Sequence, residues 1–433
     1  MTGSVADRAL PEEVGRFLSL DPGVMSCPVD AFDELRDIAP VVEYPSHRMV
    51  VVTGRAEVSQ VLRDTATFSS NQHANEESSH NMTEVLRRAS AIARQRGGHT
   101  DLLDASGQTY PPVPPHSDPP LHTRQRRLIQ PAFAPRRARA AEDMIVEMAD
   151  RILDGLGDRD QIEIRSEYSD PLMVGYILTE LHSVPEHAEM LLGWVGAFIR
   201  MQGSKLTDDE LDEIAQARVD FDEYFLERIA DIQANGSDDL LGKLVAAEIE
   251  GERLTVAELL MVAQTLLVGG TETSSTTTSK AVLHLTQHPE LADELRAEPS
   301  KLAGFVEETL RLNGPIHLLF RRATRDVDLG GVMIPAGTRV GVHLGAAGRD
   351  AESCPVPHEV DVNRTQPPQL MFGSGAHYCA GAELARVQVR VALDRLLRRY
   401  RLLELPVPFE DIRFHPQINL HRPVELPIRL VRD

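Results

Sequence analysis

The chain has 433 residues, of which 42% are hydrophobic, and a formal net charge of -21 at pH 7. This composition is typical of a globular protein with its own core, and the negative charge excludes nucleic acid as a general partner. Three cysteines, Cys27, Cys354 and Cys379, give no disulfide framework and suit a reducing compartment. No apolar run is long enough for a membrane helix, and the first residues lack a signal-peptide pattern. We therefore predict a cytoplasmic protein with no membrane anchor.

The N-terminal part of the chain predicts a small β region over about residues 40–70. Val41–Tyr44 and Met49–Thr53 have the apolar pattern of strands. The following segment, residues 69–117, is polar and rich in His, Gly and Pro. Within it, an apolar stripe predicts an amphipathic helix that begins at an Asn81 cap. A segment of this length is typical of a lid, a binding loop or disordered chain.

From residue 118 the sequence predicts mainly helices. Asp118 and the two prolines after it predict a helix start. Helical patterns then cover roughly 136–157, 168–183, 185–201, 208–234 and 237–247. Two basic clusters lie in the helical parts of this acidic chain, Arg124, Arg126, Arg127, Arg136, Arg137 and Arg139 in one, and Arg386, Arg390, Arg395, Arg398 and Arg399 in the other. Each cluster is either a solvated helix face or a docking surface.

The next predicted helix carries the first chemical motif. Thr255 and Glu258 form a capping box, and the run to Pro289 spans on the order of 50 Å. Its middle, residues 269–279, reads Gly-Gly-Thr-Glu-Thr-Ser-Ser-Thr-Thr-Thr-Ser. Two glycines cost about 2 kcal/mol relative to alanine, and the hydroxyls compete for backbone hydrogen bonds. One interpretation is a loop between two short helices; the other is a helix lying against a flat ligand, with Glu272 and Thr273 facing a reaction centre.

A weaker pair and two β segments follow this motif. Glu308 and Arg311 have i, i+3 spacing, which by itself predicts only a surface pair. Turn-rich β segments are predicted over about 316–345 and 414–430.

The strongest chemical signal is the run 372–381, which reads Phe-Gly-Ser-Gly-Ala-His-Tyr-Cys-Ala-Gly. Its three glycines allow a tight bulged turn that can press against a flat, bulky group. A helical pattern follows directly, so Cys379 lies at a helix N-terminus, where the partial positive charge favours a thiolate. A lone cysteine beside glycines is usually a small buried residue. The order of residue types here predicts instead a metal-thiolate cradle with Cys379 as the ligand.

Together these motifs resemble the cytochrome P450 superfamily. The Asp-Pro-Pro-x-His-x-x-x-Arg run at residue 118, the Gly-Gly-x-Glu-Thr run, Glu-x-x-Arg and the cysteine loop stand in that family's order over nearly the whole chain. The resemblance implies a mainly α fold with a smaller β-rich region (α+β), formed as a single domain over residues 1–433. Its helical parts would cover about 118–313 and 380–399. It also implies haem b, iron protoporphyrin IX, between a long distal helix and the helix after the cysteine loop.

The resemblance also implies roles for particular residues. Cys379 is the iron ligand, and Glu308 and Arg311 form a buried structural ion pair. Phe372 shields the sulfur, and Arg322 is the neighbouring alternative to Arg321. The residues expected to contact the haem or its propionates are His122, Arg126, Gly269, Gly270, Arg321, Phe372, Gly373, His377, Cys379 and Gly381.

The activity implied is insertion of one oxygen atom from O2 into an apolar small molecule: a terpenoid, steroid, fatty acid or aromatic compound. Thr273 would hold the oxygen and a water while Glu272 relays protons. Two electrons would come from an iron–sulfur ferredoxin with its reductase, docked on the basic face of Arg124, Arg126, Arg127 and the helix after the cysteine loop. The pocket would be lined by residues 69–117 and by Trp194, Phe198, Met201, Leu266, Val268, Gly269, Ile316, Leu318, Leu319 and Ile418.

Three alternatives stay open. A peroxide-driven haem enzyme would not need the Glu272–Thr273 relay. A tailoring or coupling oxidase of a natural-product pathway would keep it. A haem sensor or carrier would need neither the relay nor a pocket.

One stretch departs from the family pattern. Residues 348–351 read Gly-Arg-Asp-Ala, and Cys354, Val356, His358, Val360 and Gln369 replace the usual residues. These departures bear on the packing before the cysteine loop, while the iron ligand and the oxygen groove are intact.

Overall fold

The computed structural model describes residues 10–26, 28–71, 76–97, 112–202, 206–365 and 368–432. The chain forms two units, each assembled from separate stretches of sequence. Unit 1 comprises Met1–Gln72, Ala149–Ser169 and Ser274–Asp433, and unit 2 comprises His73–Met148 and Asp170–Thr273. The single domain over residues 1–433 stays a prediction.

Helices make up most of both units. In chain order they are α1 (Glu12–Leu18), α2 (Val29–Ile38), α3 (Arg55–Arg63), α4 (Glu76–Gln95), α5 (Leu121–Ile129), α6 (Pro135–Ala140), α7 (Glu142–Gly155), α8 (Asp170–Glu180), α9 (Ala188–Arg200), α10 (Asp208–Asn235), α11 (Leu240–Ala246), α12 (Val256–Gln287), α13 (Pro289–Ala297), α14 (Leu302–Asn313), α15 (Leu344–Gly348) and α16 (Ala382–Arg399). Over the part of the chain that the structure describes, none of them is both long and apolar enough to cross a membrane.

The strands are short and lie mainly in unit 1. They are β1 (Val41–Tyr44), β2 (Met49–Val52), β3 (Phe68–Ser69), β4 (Gln161–Glu163), β5 (Glu248–Ile249), β6 (Glu252–Arg253), β7 (Leu318–Ala323), β8 (Val327–Leu329), β9 (Val332–Ile334), β10 (Arg339–His343), β11 (Leu402–Glu404) and β12 (Pro427–Val431). Together the helices and strands confirm the predicted mainly α fold with a smaller β-rich region.

The largest sheet belongs to unit 1 and has the strand order β1-β2-β10-β7-β3. Its central strand β10 pairs in parallel with β2, Val340 facing Val50, and antiparallel with β7, Val340 facing Arg321. All four residues of β2 are buried, as expected for a strand covered on both faces. A second sheet of unit 1 has the order β11-β12-β4. Of the predicted C-terminal β segment, only β12 and isolated bridges such as Phe414 to Pro423 are regular.

Helix α12 is unbroken over its 32 residues, so the interpretation of residues 269–279 as a loop is wrong. Its capping box forms as predicted, with the Thr255 N–H donating to Glu258 at 2.9 Å and the Glu258 N–H to the Thr255 hydroxyl at 3.2 Å. The hydroxyls do not displace the helical ladder, because they donate to carbonyls one turn back. Thr278 donates to Ser274 and Ser279 to Ser275, each at 2.9 Å. These bonds and burial along this half of the helix offset its poor intrinsic propensity.

Helix α4 starts earlier than predicted. It begins at Glu76, so Asn81 lies inside the helix, fully buried, and is not its cap. The Asn81 amide donates to the Met201 carbonyl at 3.4 Å. Glu84, three positions after Asn81, pairs with Arg88 at 2.8 Å. Tertiary contacts within unit 2 therefore override a local capping signal.

Candidate functional site

The cysteine loop of unit 1 is shaped by two glycines with left-handed backbone angles. Gly373 has φ +76° and Gly375 has φ +72°, which side-chain-bearing residues rarely adopt. An added Cβ at Gly375 would also lie 3.1 Å from the backbone of Arg63. The Cys379 N–H donates to the Phe372 carbonyl at 2.8 Å and closes the loop. As a result the cysteine is exposed, three residues before helix α16 begins.

An arginine fixes the aromatic side of this loop. The Arg386 guanidinium lies 4.5 Å from the centre of the Phe372 ring, a cation–π contact. It also pairs with Glu307 at 2.6 Å and with Glu383 at 2.9 Å. Arg386 was predicted only as part of a basic cluster. In the structure it holds the ring that is expected to shield the sulfur.

Two further predicted haem contacts lie in unit 1. Arg321 is buried in β7, and one of its terminal nitrogens donates to the Phe320 carbonyl at 2.7 Å. The alternative, Arg322, is exposed on the same strand. His377 has its Nε2 atom 3.1 Å from the Ser70 hydroxyl, a partner that the sequence did not indicate. A buried guanidinium is stabilised by a carboxylate more than an exposed one is, so the position of Arg321 suits a propionate better than that of Arg322 does.

Glu308 and Arg311 lie on α14 and form a cluster with Arg364, which comes from the irregular stretch before the cysteine loop. Both are buried, and Arg311 donates to the two carboxylate oxygens at 2.7 and 2.8 Å. Arg364 donates to the same oxygens at 3.1 Å each, and the Asp361 N–H donates at 2.9 Å. Burial raises the pKa of Glu308, but the hydrogen bonds from Arg311, Asp361 and Arg364 hold it below its ordinary value. The sequence reasoning missed Arg364; the signal available was that no other arginine lies between Asp350 and Cys379.

Unit 2 contains the glycine and threonine motif of α12. Gly269 is exposed, and an added Cβ there would meet nothing within 4 Å, which leaves open space beside this turn. At Gly270 a Cβ would lie 2.8 Å from the Cδ1 atom of Ile177, so close packing on α8 accounts for that glycine. The geometry therefore does not support the prediction that Gly270 contacts a cofactor, and the prediction stays untested.

The two residues predicted to handle protons follow directly. The Thr273 hydroxyl donates to the Gly269 carbonyl at 2.7 Å. This bond uses the one hydrogen of the hydroxyl, so toward any other group the hydroxyl acts as an acceptor. Glu272 is buried, with 2% of its surface exposed. A buried carboxyl group and a fixed hydroxyl thus occupy successive positions of one helix.

His122 and Arg126 lie on α5 of unit 2, one turn apart. His122 is buried. Burial lowers the pKa of His122, and the charge of Arg126 lowers it further. A neutral imidazole still carries one N–H that can donate to an anionic group.

The basic cluster that contains Arg126 is less positive than predicted, because acidic residues neutralise part of it. Arg124 pairs with Glu258 at 2.7 Å, and Arg127 pairs with Glu250 at 3.2 Å. Within the described residues, Arg136 and Arg139 are exposed and form no ion pair. In this cluster, the positive charge that a partner could bind therefore lies at Arg136 and Arg139 and not at Arg124 and Arg127.

The residues predicted to line a substrate pocket have different exposures. Leu266, Val268, Ile316 and Leu319 are partly exposed. Leu318 and Ile418 are buried in unit 1. Phe198, Trp194 and Met201 are buried in unit 2, where the Phe198 and Trp194 rings pack edge-on against Phe221. Their role as pocket residues stays a prediction.

The donor set fits a haem. Unit 1 contains an exposed thiol just before a helix N-terminus, a buried arginine on β7 and, two residues before the cysteine, a histidine. Considered by itself, unit 2 contains an exposed glycine, a buried histidine and an arginine, and the last two are residue types that bind carboxylates. A thiolate suits the iron, and the cationic and N–H groups suit two propionates.

Known proteins match the chain throughout most of its length. The sequence profile described as cytochrome P450 matches residues 205–424. Cytochrome P450 107B1 of Saccharopolyspora erythraea is 35% identical over 74% of this chain and 78% of its own. The 6-deoxyerythronolide B hydroxylase of the same organism is 32% identical over 72% of this chain and 77% of its own. The solved structure of cytochrome P450 CYP109Q5 from Chondromyces apiculatus is 30% identical, has a TM-score of 0.80, and covers 96% of this chain and 98% of its own.

Proposed function

Since the chain belongs to the cytochrome P450 family of haem-thiolate monooxygenases, which carry haem b, we propose that it hydroxylates or epoxidises an apolar natural product. The enzyme class implies O2, a redox partner and a small-molecule substrate. The substrate class is supported by a relative that is named as a hydroxylase of 6-deoxyerythronolide B. It is also supported by the apolar character of Leu266, Val268, Ile316 and Leu319, the partly exposed candidates for the pocket.

The exposed thiol at the start of α16 is the observation that carries this proposal. Cys379 would ligate the iron, Phe372 would cover the sulfur, and His122, Arg126, Arg321 and His377 would hold the propionates. A bound haem would supply the activation of O2: with two electrons from the partner and two protons, one oxygen atom would go to the substrate and the other would leave as water.

The absorption spectrum of the reduced protein under carbon monoxide tests the ligand assignment. A strongly red-shifted Soret band is expected for the wild type and for Cys354→Ser, which alters a buried cysteine elsewhere in unit 1. The band should move to shorter wavelength in Cys379→Ser. The same red-shifted band in Cys379→Ser would refute the assignment.

Thr273 and Glu272 would manage protons. Because the Thr273 hydroxyl donates to Gly269, it can accept a hydrogen bond from a water beside it, and Glu272 can pass a proton to that water. Thr273→Val keeps the shape of the side chain but removes the hydroxyl acceptor. Most of the electrons supplied by the redox partner should then reduce O2 to hydrogen peroxide instead of supporting substrate oxidation. Thr273→Ser should keep the coupling. Equal peroxide release by the two variants, with 6-deoxyerythronolide B as trial substrate, would contradict this role.

The substrate class can be tested without turnover. Macrolide cores, steroids and long-chain fatty acids are titrated separately while the haem spin state is followed by absorption. We expect the macrolide cores to produce a saturable shift at the lowest concentration. A shift confined to steroids or fatty acids would overturn the natural-product proposal and leave the monooxygenase class intact.

For the electron donor we propose an acidic iron–sulfur ferredoxin, docked partly on Arg136 and Arg139. Both side chains are exposed and form no ion pair within the described residues, so their charge is available to a partner. Arg139→Glu should slow reduction by a ferredoxin and its reductase and weaken the dependence of the rate on salt. Arg94→Glu is the matched control, since Arg94 is also exposed and free of ion pairs within the described residues. Equal rates for the two variants would exclude this docking site.

A further inference from the structure

Lys280 is a buried lysine in the second half of α12. The sequence contains four lysines and otherwise uses arginine for positive charge. The Lys280 side chain is enclosed, with 5% of the residue exposed. Its Nζ atom donates to the Gly314 carbonyl at 3.0 Å and lies 2.7 Å from the Nδ1 atom of His421. A buried ammonium is costly unless its N–H groups are bonded, so these contacts define its position closely.

His421 is arranged to accept from that ammonium. Its Nε2 atom lies 2.8 Å from the Met25 carbonyl, which can only accept, so Nε2 carries the proton and Nδ1 carries the lone pair. Burial lowers the pKa of His421 well below its ordinary value, which agrees with a neutral ring. The ring stacks on Phe414 and on His317, with centroid distances of 4.2 Å in both cases. The histidine is therefore fixed both in its plane and along its hydrogen-bond axis.

The contacts of Lys280 with Gly314 and His421 reach two different segments of unit 1. Gly314 begins the segment 314–319, and His421 ends the segment 417–421. These segments are joined to each other, because the His317 N–H donates to the Asn419 carbonyl at 2.9 Å and Ile316 forms a β-bridge with Leu420. One ammonium thus ties both segments to the same helix.

We propose that Lys280 is a positioning residue for the substrate: by holding both joined segments on α12 it fixes where Ile316 and Ile418 lie relative to that helix. This inference rests on the proposed function, in which these two side chains line the pocket. An apolar residue at position 280 could fill the same space without burying a charge. The ammonium differs from an apolar side chain because its hydrogen bonds are directional. Each of them fixes the position of a backbone or ring atom. The expected consequence is discrimination among ligands by shape, with no direct contact between Lys280 and the ligand.

Two iron-binding probes test this in the holoprotein. Imidazole is too small to fill a substrate pocket, whereas 4-phenylimidazole places a ring beyond the iron-bound nitrogen. Soret titrations should show 4-phenylimidazole binding weakened about five-fold in Lys280→Met, with imidazole changed less than about two-fold. His421→Phe keeps an aromatic ring for the stack but removes the acceptor, and should give the same loss of selectivity. Lys301→Met is the control, because Lys301 pairs with Glu294 and Glu298 at the surface.

A second measurement uses the unchanged protein. In hydrogen–deuterium exchange, peptides covering 314–319 and 417–421 should gain protection together when 4-phenylimidazole binds, and gain none with imidazole. Equal losses for both probes in Lys280→Met, or no response of these peptides, would overturn the inference and leave Lys280 a purely structural residue. If Lys280→Met takes up no haem, the exchange result decides. Wild-type protein without a thiolate-type spectrum would instead mark failure of the proposed function, and the inference would fall with it.

Discussion

Replacing Glu308 by glutamine should be one of the most destabilising single changes in unit 1. The amide has almost the same size as the carboxylate but carries no charge. Glu308 accepts from four N–H groups: two of Arg311, the Nε–H of Arg364, which both oxygens share, and the Asp361 N–H. The substitution therefore leaves two guanidinium groups without their anion in a buried site.

The size of the effect depends on the hydrogen bonds that the two arginines retain after the substitution. Removing one partner of a buried ion pair costs about 3–5 kcal/mol. Arg311 still donates to the carbonyls of Gly348 and Glu359, and Arg364 to that of Pro355, so the lower end of this range applies. We expect a loss of about 3 kcal/mol in the free energy of unfolding, a large part of the total of about 5–15 kcal/mol that a typical domain has.

Urea unfolding at pH 7, followed by far-UV circular dichroism and by the Soret band, measures this loss. The matched control is Glu307→Gln on the same helix, where the carboxylate is half exposed and pairs with Arg386, so about 0–1 kcal/mol is expected. Because the folded-state pKa of Glu308 is lowered, its contribution is present above the unfolded-state pKa and is lost as the pH falls through the folded-state value. The reasoning is refuted if both variants lose the same free energy, or if the difference between Glu308→Gln and wild type does not shrink in acid.

Two further predictions concern unit 2 and helix α14. His182 lies between Asp231 and Asp239, 2.8 Å from each. Burial lowers the pKa of His182, but the two carboxylates raise it above its ordinary value. Its contribution is therefore full below the unfolded-state pKa and lost as the pH rises through the folded-state value, so a Tm difference of a few degrees from His182→Asn should appear only at low pH. Gly304→Ala should destabilise by about 3 kcal/mol or more, since the new Cβ would collide with the Val362 carbonyl.

Each of these changes has a control. Asparagine suits position 182 because that residue has φ +54°, so the comparison isolates the charge from backbone strain. His288→Asn, at an exposed histidine beside Glu290, should show a smaller pH dependence of Tm. A Cβ at Gly15 would meet nothing within 4 Å, so Gly15→Ala should be neutral or stabilising. A Tm gap that grows with pH for His182→Asn, or equal Tm values for the two alanine variants, would contradict the reasoning.

The features that the sequence predicted well are local ones. The capping box of Thr255 and Glu258, the strands β1 and β2, and the turn before Cys379 each depend on residues a few positions apart. The unbroken α12 was harder to predict, because its stability depends on burial and on hydroxyls bonded one turn back. Propensity alone argued for a break there.

The features that the sequence missed depend on contacts between distant residues. Asn81 has the chemistry of a helix cap, yet a contact with Met201 places it inside α4. Arg364 comes from an irregular stretch, where neither periodicity nor turn chemistry predicts a partner for Glu308. A single sequence records the donor and the acceptor but not the fold that brings them together.

The same limit applies to the arginine clusters, where it changes a functional conclusion. A run of arginines in a chain with net charge -21 indicates a docking surface for an acidic partner. However, Arg395 pairs with Asp150 at 2.7 Å and Arg399 with Asp154 at 2.5 Å, so much of the charge of α16 is neutralised within unit 1. An acidic ferredoxin responds to the charge that remains after such pairing. Exposed arginines such as Arg136 and Arg139, which have no acidic partner in the part of the chain that the structure describes, are therefore better candidates for docking than the most arginine-dense stretch of sequence.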